Sequence, residues 1–198
     1  MLASLYEGDV MKSIHELAEV PAGVSLLADD IVEFHAARIL LLIELCGKTD
    51  RAHGVTKIEG LTKLAKLDFF VRYPHLFDKA CAVTGEGVRS FSTSIESSMV
   101  RHHYGPWDHR YYEILAYLRS RGLIKIKKEK NTYNYQLTSI GKERAKQLSE
   151  QSSFRSLCEQ MRRVKKAFGS KSGSYIKNKI YEIFKQEVEQ KSLGEIIE

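Results

Sequence analysis

Apolar residues recur at helical spacing through most of the chain. Asp29 or Asp30 is predicted to cap a first helix, which is apolar on all sides from Ile39 to Ile43 and ends before Gly47. Thr56 is predicted to cap a second helix, and Pro74 to end it or to begin the third. The predicted helices cover residues 29–46, 56–73, 75–83 and 107–121.

The pattern changes to strict alternation after Gly122. Apolar and polar residues alternate in Leu123–Lys127 and again in Tyr133–Leu137, which predicts two half-buried strands around a polar tip. Thr138 or Ser139 is then placed to cap a helix over residues 140–148. Helix, strand, tip, strand and helix follow one another in the order of a winged-helix core, with the hairpin 123–137 as its wing.

Two amphipathic helices follow, separated by the flexible joint 169–174, which is rich in Gly and Ser. Their apolar stripes either pack back on the domain or bind a partner helix. The candidate partner-binding residues are Phe154, Leu157, Met161, Val164, Phe168, Ile176, Ile180, Ile183 and Phe184.

These elements predict a mainly α fold with a small β-hairpin, in which a winged-helix-like core is followed by C-terminal amphipathic helices. We expect an N-terminal arm at residues 1–28, the winged-helix-like domain at 29–150 and a helical extension at 151–198. With 198 residues, the chain is long enough to bury a substantial core.

Charge is unevenly distributed along the chain. Residues 1–100 hold ten Lys/Arg against fourteen Asp/Glu, whereas residues 101–185 hold twenty against seven. A basic second half indicates contact with a polyanion there, or simply a set of solvated helix faces.

Basic residues that run from the end of the 107–121 helix into the wing are typical of a surface that neutralises phosphates without reading bases. Asp108 and Glu113 on that helix would repel phosphates, so we do not expect a sequence-specific operator binder. Winged helices also serve as protein-docking modules. The candidate DNA-binding residues are Arg119, Arg121, Lys125, Lys127, Lys128 and Lys130, with Arg162, Arg163, Lys165 and Lys166 on the next helix but one.

No catalytic signature is visible. The phosphate-loop motif is missing, and the three widely spaced cysteines indicate neither a disulfide framework nor a zinc knuckle, which fits a reducing cytoplasm. His102, His103 and His109 lie close together, but adjacent histidines on an extended segment point apart, so we expect no metal there. No apolar run is long enough to span a membrane, and no secretion signal is expected. We therefore expect a protein that is not an enzyme and needs no cofactor.

Two segments carry a family resemblance. Lys66–Pro74 contains Arg-Tyr-Pro after a helix, and Met99–Asp108 contains Tyr-Gly-Pro-Trp-Asp before the next. With residues 111–124, they resemble the middle-component proteins of bacterial ABC three-component systems, in particular the small subunit of Lamassu-type defence complexes. The match covers roughly positions 60–125, and its motif residues are structural: Arg72, Tyr73, Pro74, Tyr104, Gly105, Pro106, Trp107 and Asp108.

The resemblance implies a non-catalytic subunit. In such complexes an SMC-like ATPase senses DNA and a separate effector, often a nuclease, cuts it. The small subunit is similar in role to kleisin or winged-helix accessory proteins, bracing the ATPase heads, contributing to sequence-independent binding of double-stranded DNA, and restraining the effector until phage or plasmid DNA is met. The alternative hypothesis is a free-standing winged-helix transcriptional regulator, which would bind DNA as a dimer.

Overall fold

The longest apolar run of the chain lies at the centre of the molecule, in α1. The computed structural model describes residues 11–19, 31–50, 54–87, 99–102 and 105–197, which are mainly helical with two small antiparallel sheets. The helices are α1 Val32–Cys46, α2 Leu61–Arg72, α3 Pro74–Thr84, α4 Tyr111–Ser120, α5 Ser139–Glu150, α6 Arg155–Phe168 and α7 Gly173–Ile183. The strands are β1 Lys48–Asp50, β2 Val55–Glu59, β3 Met99–His102, β4 Gly105–Trp107, β5 Ile124–Glu129, β6 Thr132–Leu137 and β7 Ile196–Ile197.

α1 is central because its side chains are apolar on every side. Residues 39–43 are all buried, and α2, α4, α5 and α6 pack around the helix. The predicted end at Gly47 is confirmed. Asp29 and Asp30, the predicted caps, lie outside the described residues, as does most of the predicted arm at 1–28. Within that arm Met11 is buried, and Lys12 forms a parallel bridge with Ile31.

The predicted start of the second helix is wrong. Thr56 lies in β2, where it and Ile58 are buried, and α2 begins only at Leu61 after Gly60. Gly60 has a φ of 85°, and this left-handed conformation turns the chain from strand to helix. A threonine before an apolar run resembles a helix cap, but Val-Thr-Lys-Ile-Glu alternates as strands do.

Pro74 begins the third helix, at the first helical position that proline favours. The fourth helix starts later than predicted, because Trp107 belongs to β4, where it pairs with Val100, and α4 begins at Tyr111. The predicted cap of the fifth helix is confirmed: the Thr138 hydroxyl accepts a 2.9 Å hydrogen bond from the Gly141 N–H.

The predicted hairpin is confirmed as β5 and β6, with Ile126 opposite Tyr135. It extends into a four-stranded sheet in the order β1-β2-β6-β5, in which Ile58 of β2 also pairs with Tyr135. β5 is therefore an edge strand. A second sheet has the order β4-β3-β7 and joins the C-terminal β7 to the middle of the chain.

α6 and α7, which the sequence assigns to an extension at 151–198, share the core of the preceding helices. Phe168 of α6 stacks on Phe70 of α2, with ring centroids 4.7 Å apart. Phe184, just after α7, meets the edge of Phe69 at 6.2 Å. The two helices complete the hydrophobic core around α2.

Candidate nucleic-acid-binding surface

The β5–β6 hairpin presents lysines to solvent because its core-facing positions are apolar. Ile124 is buried and Ile126 half-buried, and both pack towards α4, whereas the alternate residues Lys125 and Lys127 are exposed. Lys125 lies opposite Gln136 and Lys127 opposite Asn134, so both project from the sheet face away from α4.

The tip of the hairpin adds two further cations. Lys128 lies opposite Tyr133, and its ammonium sits 5.8 Å from the centre of that exposed ring. Lys130 occupies the turn with a φ of 54°. In the part of the chain that the structure describes, Lys125, Lys127, Lys128 and Lys130 form no ion pair, so their charges remain available to a polyanion.

Neither Arg119 nor Arg121 lies on the sheet face that carries Lys125 and Lys127. Arg119 lines a cleft of about 950 Å³ between α4 and the hairpin, together with Tyr112, Tyr133 and Tyr135. Arg121 is exposed on the far side of α4, where its guanidinium lies 5.2 Å from the ring centre of Tyr117.

The basic run on α6 is divided. Arg162 and Lys166 are exposed, whereas Arg163 is half-buried. Lys165 is also half-buried, and its ammonium donates to the carbonyls of Cys46, at 3.0 Å, and Gly47. Of these four candidate DNA contacts, Arg162 and Lys166 are therefore exposed, whereas Arg163 and Lys165 are partly covered.

The apolar stripes of α6 and α7, which the sequence assigned either to the domain core or to a partner helix, pack on the domain. The chain itself covers them, because α6 and α7 lie against α1 and α2. Phe154 and Ile183 remain half-buried at the margin of the core. The buried residues are Leu157, Met161, Val164, Phe168, Ile176, Ile180 and Phe184.

The structural motif residues meet in a buried network of charges. Arg72 Nη1 of α2 donates to Asp108 Oδ2 at 2.7 Å, and Arg110 donates to both oxygens of Asp108 at 2.9 Å. Burial alone would raise the pKa of Asp108, but the hydrogen bonds from Arg110 and the charge of Arg72 outweigh it and hold the pKa well below its usual range. The sequence placed Asp108 at a helix terminus, and the structure makes it the anionic centre of this network.

Arg72 also lies 3.6 Å from Asp68 of the same helix, one turn earlier. Asp68 is held from two further elements: Arg38 of α1 donates to it at 3.0 Å and the Tyr111 hydroxyl at 2.8 Å. Burial, followed by the charge of Asp68, raises the pKa of Tyr111 well above its ordinary value. The network therefore joins α1, α2 and the start of α4.

His35 and Arg38 of α1, which were not identified from the sequence, also belong to this network. Both nitrogens of the fully buried His35 face guanidinium groups, that of Arg38 at 2.7 Å and that of Arg110 at 3.0 Å. The signal was present in the sequence, since His35 and Arg38 interrupt an otherwise apolar helix. A buried arginine requires a carboxylate partner, and Asp68 and Asp108 are the carboxylates that α2 and the start of α4 supply.

The remaining motif residues hold the second sheet in place. The Tyr73 hydroxyl donates to Ile197 O at 2.8 Å and accepts from Met99 N at 2.7 Å, which joins β7 to β3. Lys66 is fully buried and donates to Pro106 O at 2.7 Å. Gly105 has a φ of 91° close to Lys66, while Tyr104 lies outside the described residues.

Among the described residues, the histidines and cysteines form no cluster that could bind a metal ion. Among the described residues, no three His, Cys, Asp or Glu side chains converge on a possible metal position. His102 stacks on Trp107 at 5.4 Å, His109 is exposed, and His103 lies outside the described ranges. All three cysteines are buried, and burial raises the thiol pKa of Cys46 and of Cys81 to about 12.

Comparison with known proteins does not identify a relative: no family model, no curated protein and no solved structure matches this chain. None of the described helices has the length and apolar character needed to cross a bilayer.

Proposed function

We propose that this chain is a non-catalytic accessory subunit that binds the backbone of double-stranded DNA through a winged-helix-type core. The observation that carries the proposal is the β5–β6 hairpin at the edge of the sheet, whose four lysines form no ion pair with any described residue. Lysines on a protruding hairpin neutralise phosphates and release counterions, which gives affinity without a sequence preference.

The topology supports the winged-helix assignment. α1, β2 and α2 precede α4, and α4 leads directly into the hairpin, whose second strand pairs with β2. In this arrangement the hairpin is the wing and α4 is the helix beside it. The exposed face of α4 carries Tyr112, Glu113 and Arg119, a mixed set that favours backbone contact over base recognition.

We further propose that the subunit belongs to an SMC-like ATPase complex with a nuclease or other effector, directed against phage or plasmid DNA in the cytoplasm. The proposal rests on the resemblance carried by the two motif segments. The structure supplies a physical role for those motifs as the buried network around Asp108, which is the kind of scaffold that a rigid bracing subunit needs.

The DNA proposal is tested by fluorescence anisotropy with a labelled duplex of arbitrary sequence over a series of salt concentrations. The test variant changes Lys125, Lys127, Lys128 and Lys130 to Glu, and the matched control changes the exposed Lys142, Lys146, Arg155 and Lys185 to Glu. Both variants have the same net charge. We expect the hairpin variant to lose binding and the control to retain most of it, with each phosphate contact contributing about 0.9 to the salt slope. Equal loss in both variants would refute a specific role of the hairpin.

The partner proposal is tested by purifying the tagged protein from its native host and identifying the co-purifying proteins by mass spectrometry. A long coiled-coil ATPase in near-stoichiometric amount is the expected result. Recovery of a homodimer bound to DNA of one sequence would instead establish the transcriptional regulator.

A further inference from the structure

A second concentration of positive charge lies beside the hairpin, in a cleft of about 690 Å³ that is also lined by Thr132, the first residue of β6. The cleft lies between the end of α1, strand β2, the start of α2 and the joint that links α6 to α7. Its lining includes one carboxylate, Glu59, and six lysines: Lys48, Lys57, Lys63, Lys165, Lys166 and Lys171.

The two lysines in the wall of the cleft, Lys63 and Lys165, form no ion pair with a carboxylate of the described residues. Lys63 donates to Gly169 O at 2.8 Å, and Lys165 donates to Cys46 O at 3.0 Å. Both side chains are half-buried, and neither forms an ion pair within the described ranges. Carbonyl oxygens satisfy hydrogen-bond donors but carry no full negative charge, and the nearby charge of Glu59 compensates that of Lys63 only in part.

The two ammonium groups also act on each other. Burial lowers the pKa of Lys63, and the nearby charge of Lys165 lowers it further. The fold therefore holds the positive charges of Lys63 and Lys165 close together in a partly desolvated part of the cleft. An anion with several charges that bound there would relieve this repulsion.

The outer lysines are only partly neutralised. Lys57 lies 3.3 Å from both Glu59 and Glu129, and Lys171 lies 3.5 Å from Glu86. Lys48 and Lys166 are exposed and have no ion-pair partner in the part of the chain described by the structure. The cleft therefore has cations both at its wall and at its mouth.

The joint between α6 and α7 forms a close-fitting side of the cleft. A Cβ at Gly173 would lie 2.9 Å from Lys63 N, and one at Gly169 would lie 2.3 Å from Lys165 Cδ. Ser172 caps α7 by accepting from Tyr175 N at 3.1 Å. Glycine at both positions lets the joint pack directly against the two wall lysines, and the cap fixes its far end.

We propose that this cleft binds a phosphate chain with several negative charges, in the form of a free nucleotide's polyphosphate or of the 5′-phosphate at the end of a nucleic acid strand. Lysine ammonium groups bind phosphate oxygens as point charges, and the volume lies in the range of small-molecule sites. The wall lysines lie within a cleft, so a narrow phosphate chain reaches them more readily than the broad side of a duplex. None of the four lysines of the hairpin lines this cleft, and the inference does not depend on the proposed function.

Isothermal titration calorimetry with sodium tripolyphosphate at low salt tests the proposal on the whole chain. The test variant is Lys63→Gln with Lys165→Gln, and the matched control is Lys142→Gln with Lys146→Gln on the exposed side of α5. We expect binding by the natural chain and the control, and at least about a tenfold loss in the test variant, since each charge-assisted hydrogen bond contributes strongly. No binding by the natural chain, or equal loss in both variants, would overturn the proposal.

A second variant guards against misfolding of the first. Lys166→Gln with Lys171→Gln changes side chains at the mouth of the cleft and leaves the wall hydrogen bonds intact. It too should weaken tripolyphosphate binding, and unchanged affinity would contradict the site.

Competition experiments distinguish the two sources of phosphate. Displacement of tripolyphosphate by metal-free ATP supports a free nucleotide, whereas displacement by a 5′-phosphorylated oligonucleotide but not by its 5′-hydroxyl form supports a strand end. Failure of both competitors would overturn the assignment to nucleotide phosphates. The hairpin variant lies beside the cleft, so its tripolyphosphate affinity is compared with that of the charge-reversal control of equal net charge. Equal affinities separate the cleft from the DNA surface, whereas a selective loss in the hairpin variant would make the two a single site.

Discussion

Arg72 of α2 and Asp108, just before α4, form a 2.7 Å ion pair, with the Arg72 side chain fully buried and that of Asp108 almost so. The pair is 36 positions apart in the chain and holds the start of α4 against α2. Arg110 lies 2.9 Å from Asp108, and Arg38 of α1 lies 3.9 Å from Asp108 and 3.0 Å from Asp68. Asp108 and Arg38 therefore each have more than one partner. Removing one member would therefore leave charges buried without compensation.

The change Asp108→Ala should destabilise the fold strongly. Loss of one partner from a buried pair typically costs about 3–5 kcal/mol, because the remaining charge stays desolvated. The free energy of unfolding from urea titration at pH 7 measures the effect. The control is Lys179→Ala, which breaks the exposed pair with Glu182 and should cost much less, because water screens the two charges. Similar losses in the two variants would show that the network contributes no more than a surface pair.

Lys66 should make stability depend on pH. Burial lowers the pKa of Lys66 from 10.5 to about 7 in the folded state, so the unfolded chain binds more protons between these values. Stability should therefore rise with pH above about 7, by up to about 1.4 kcal/mol per pH unit.

Urea titrations at several pH values between pH 6.5 and 8.5 test this, with Lys66→Met as the matched variant. The difference between the natural chain and the variant isolates Lys66 from the thiols and other groups. The two profiles should converge as the pH rises, and parallel profiles would rule out a depressed pKa.

Gly141→Ala should destabilise the chain even though alanine is the better helix former by about 1 kcal/mol. Gly141 lies in the first turn of α5, and a Cβ there would approach Leu123 O to 1.9 Å. Because the obstacle is backbone, the strand or the helix must move, at a cost of at least about 1–3 kcal/mol. Thermal unfolding measures the loss. Gly87→Ala, where a Cβ would meet none of the described residues within 4 Å, is the control and should be nearly neutral. A rise in melting temperature for Gly141→Ala would disprove the close contact.

Elements with a strong local signal were predictable. The central helix α1 followed from its apolar run, the hairpin from strict alternation on both sides of a polar tip, and the cap of α5 from Thr138 before a helical pattern. Lys125 and Lys127 were predictable as exposed for the same reason, because alternation assigns each residue to one face of a strand.

Elements with an ambiguous local signal were not predictable. The sequence around Thr56 was compatible with a helix cap or with a strand. The segment is a strand because β2 pairs with β6. The apolar stripes of α6 and α7 were compatible with binding a partner or with packing in the core. They pack in the core because Phe70 and Phe69 of α2 contact Phe168 and Phe184.

The sequence by itself determined the mainly helical class, the hairpin and the exposed cations on it, because these depend on periodicity over a few residues. Only the tertiary structure decided which charges are buried together and which surround a cleft. Lys63 and Lys165 are separated by about a hundred positions, as are Cys46 and Lys165, and no short-range pattern relates them. Their proximity is a consequence of how α6 packs on α1 and α2, and that packing is set by shape and apolar area rather than by the charges themselves.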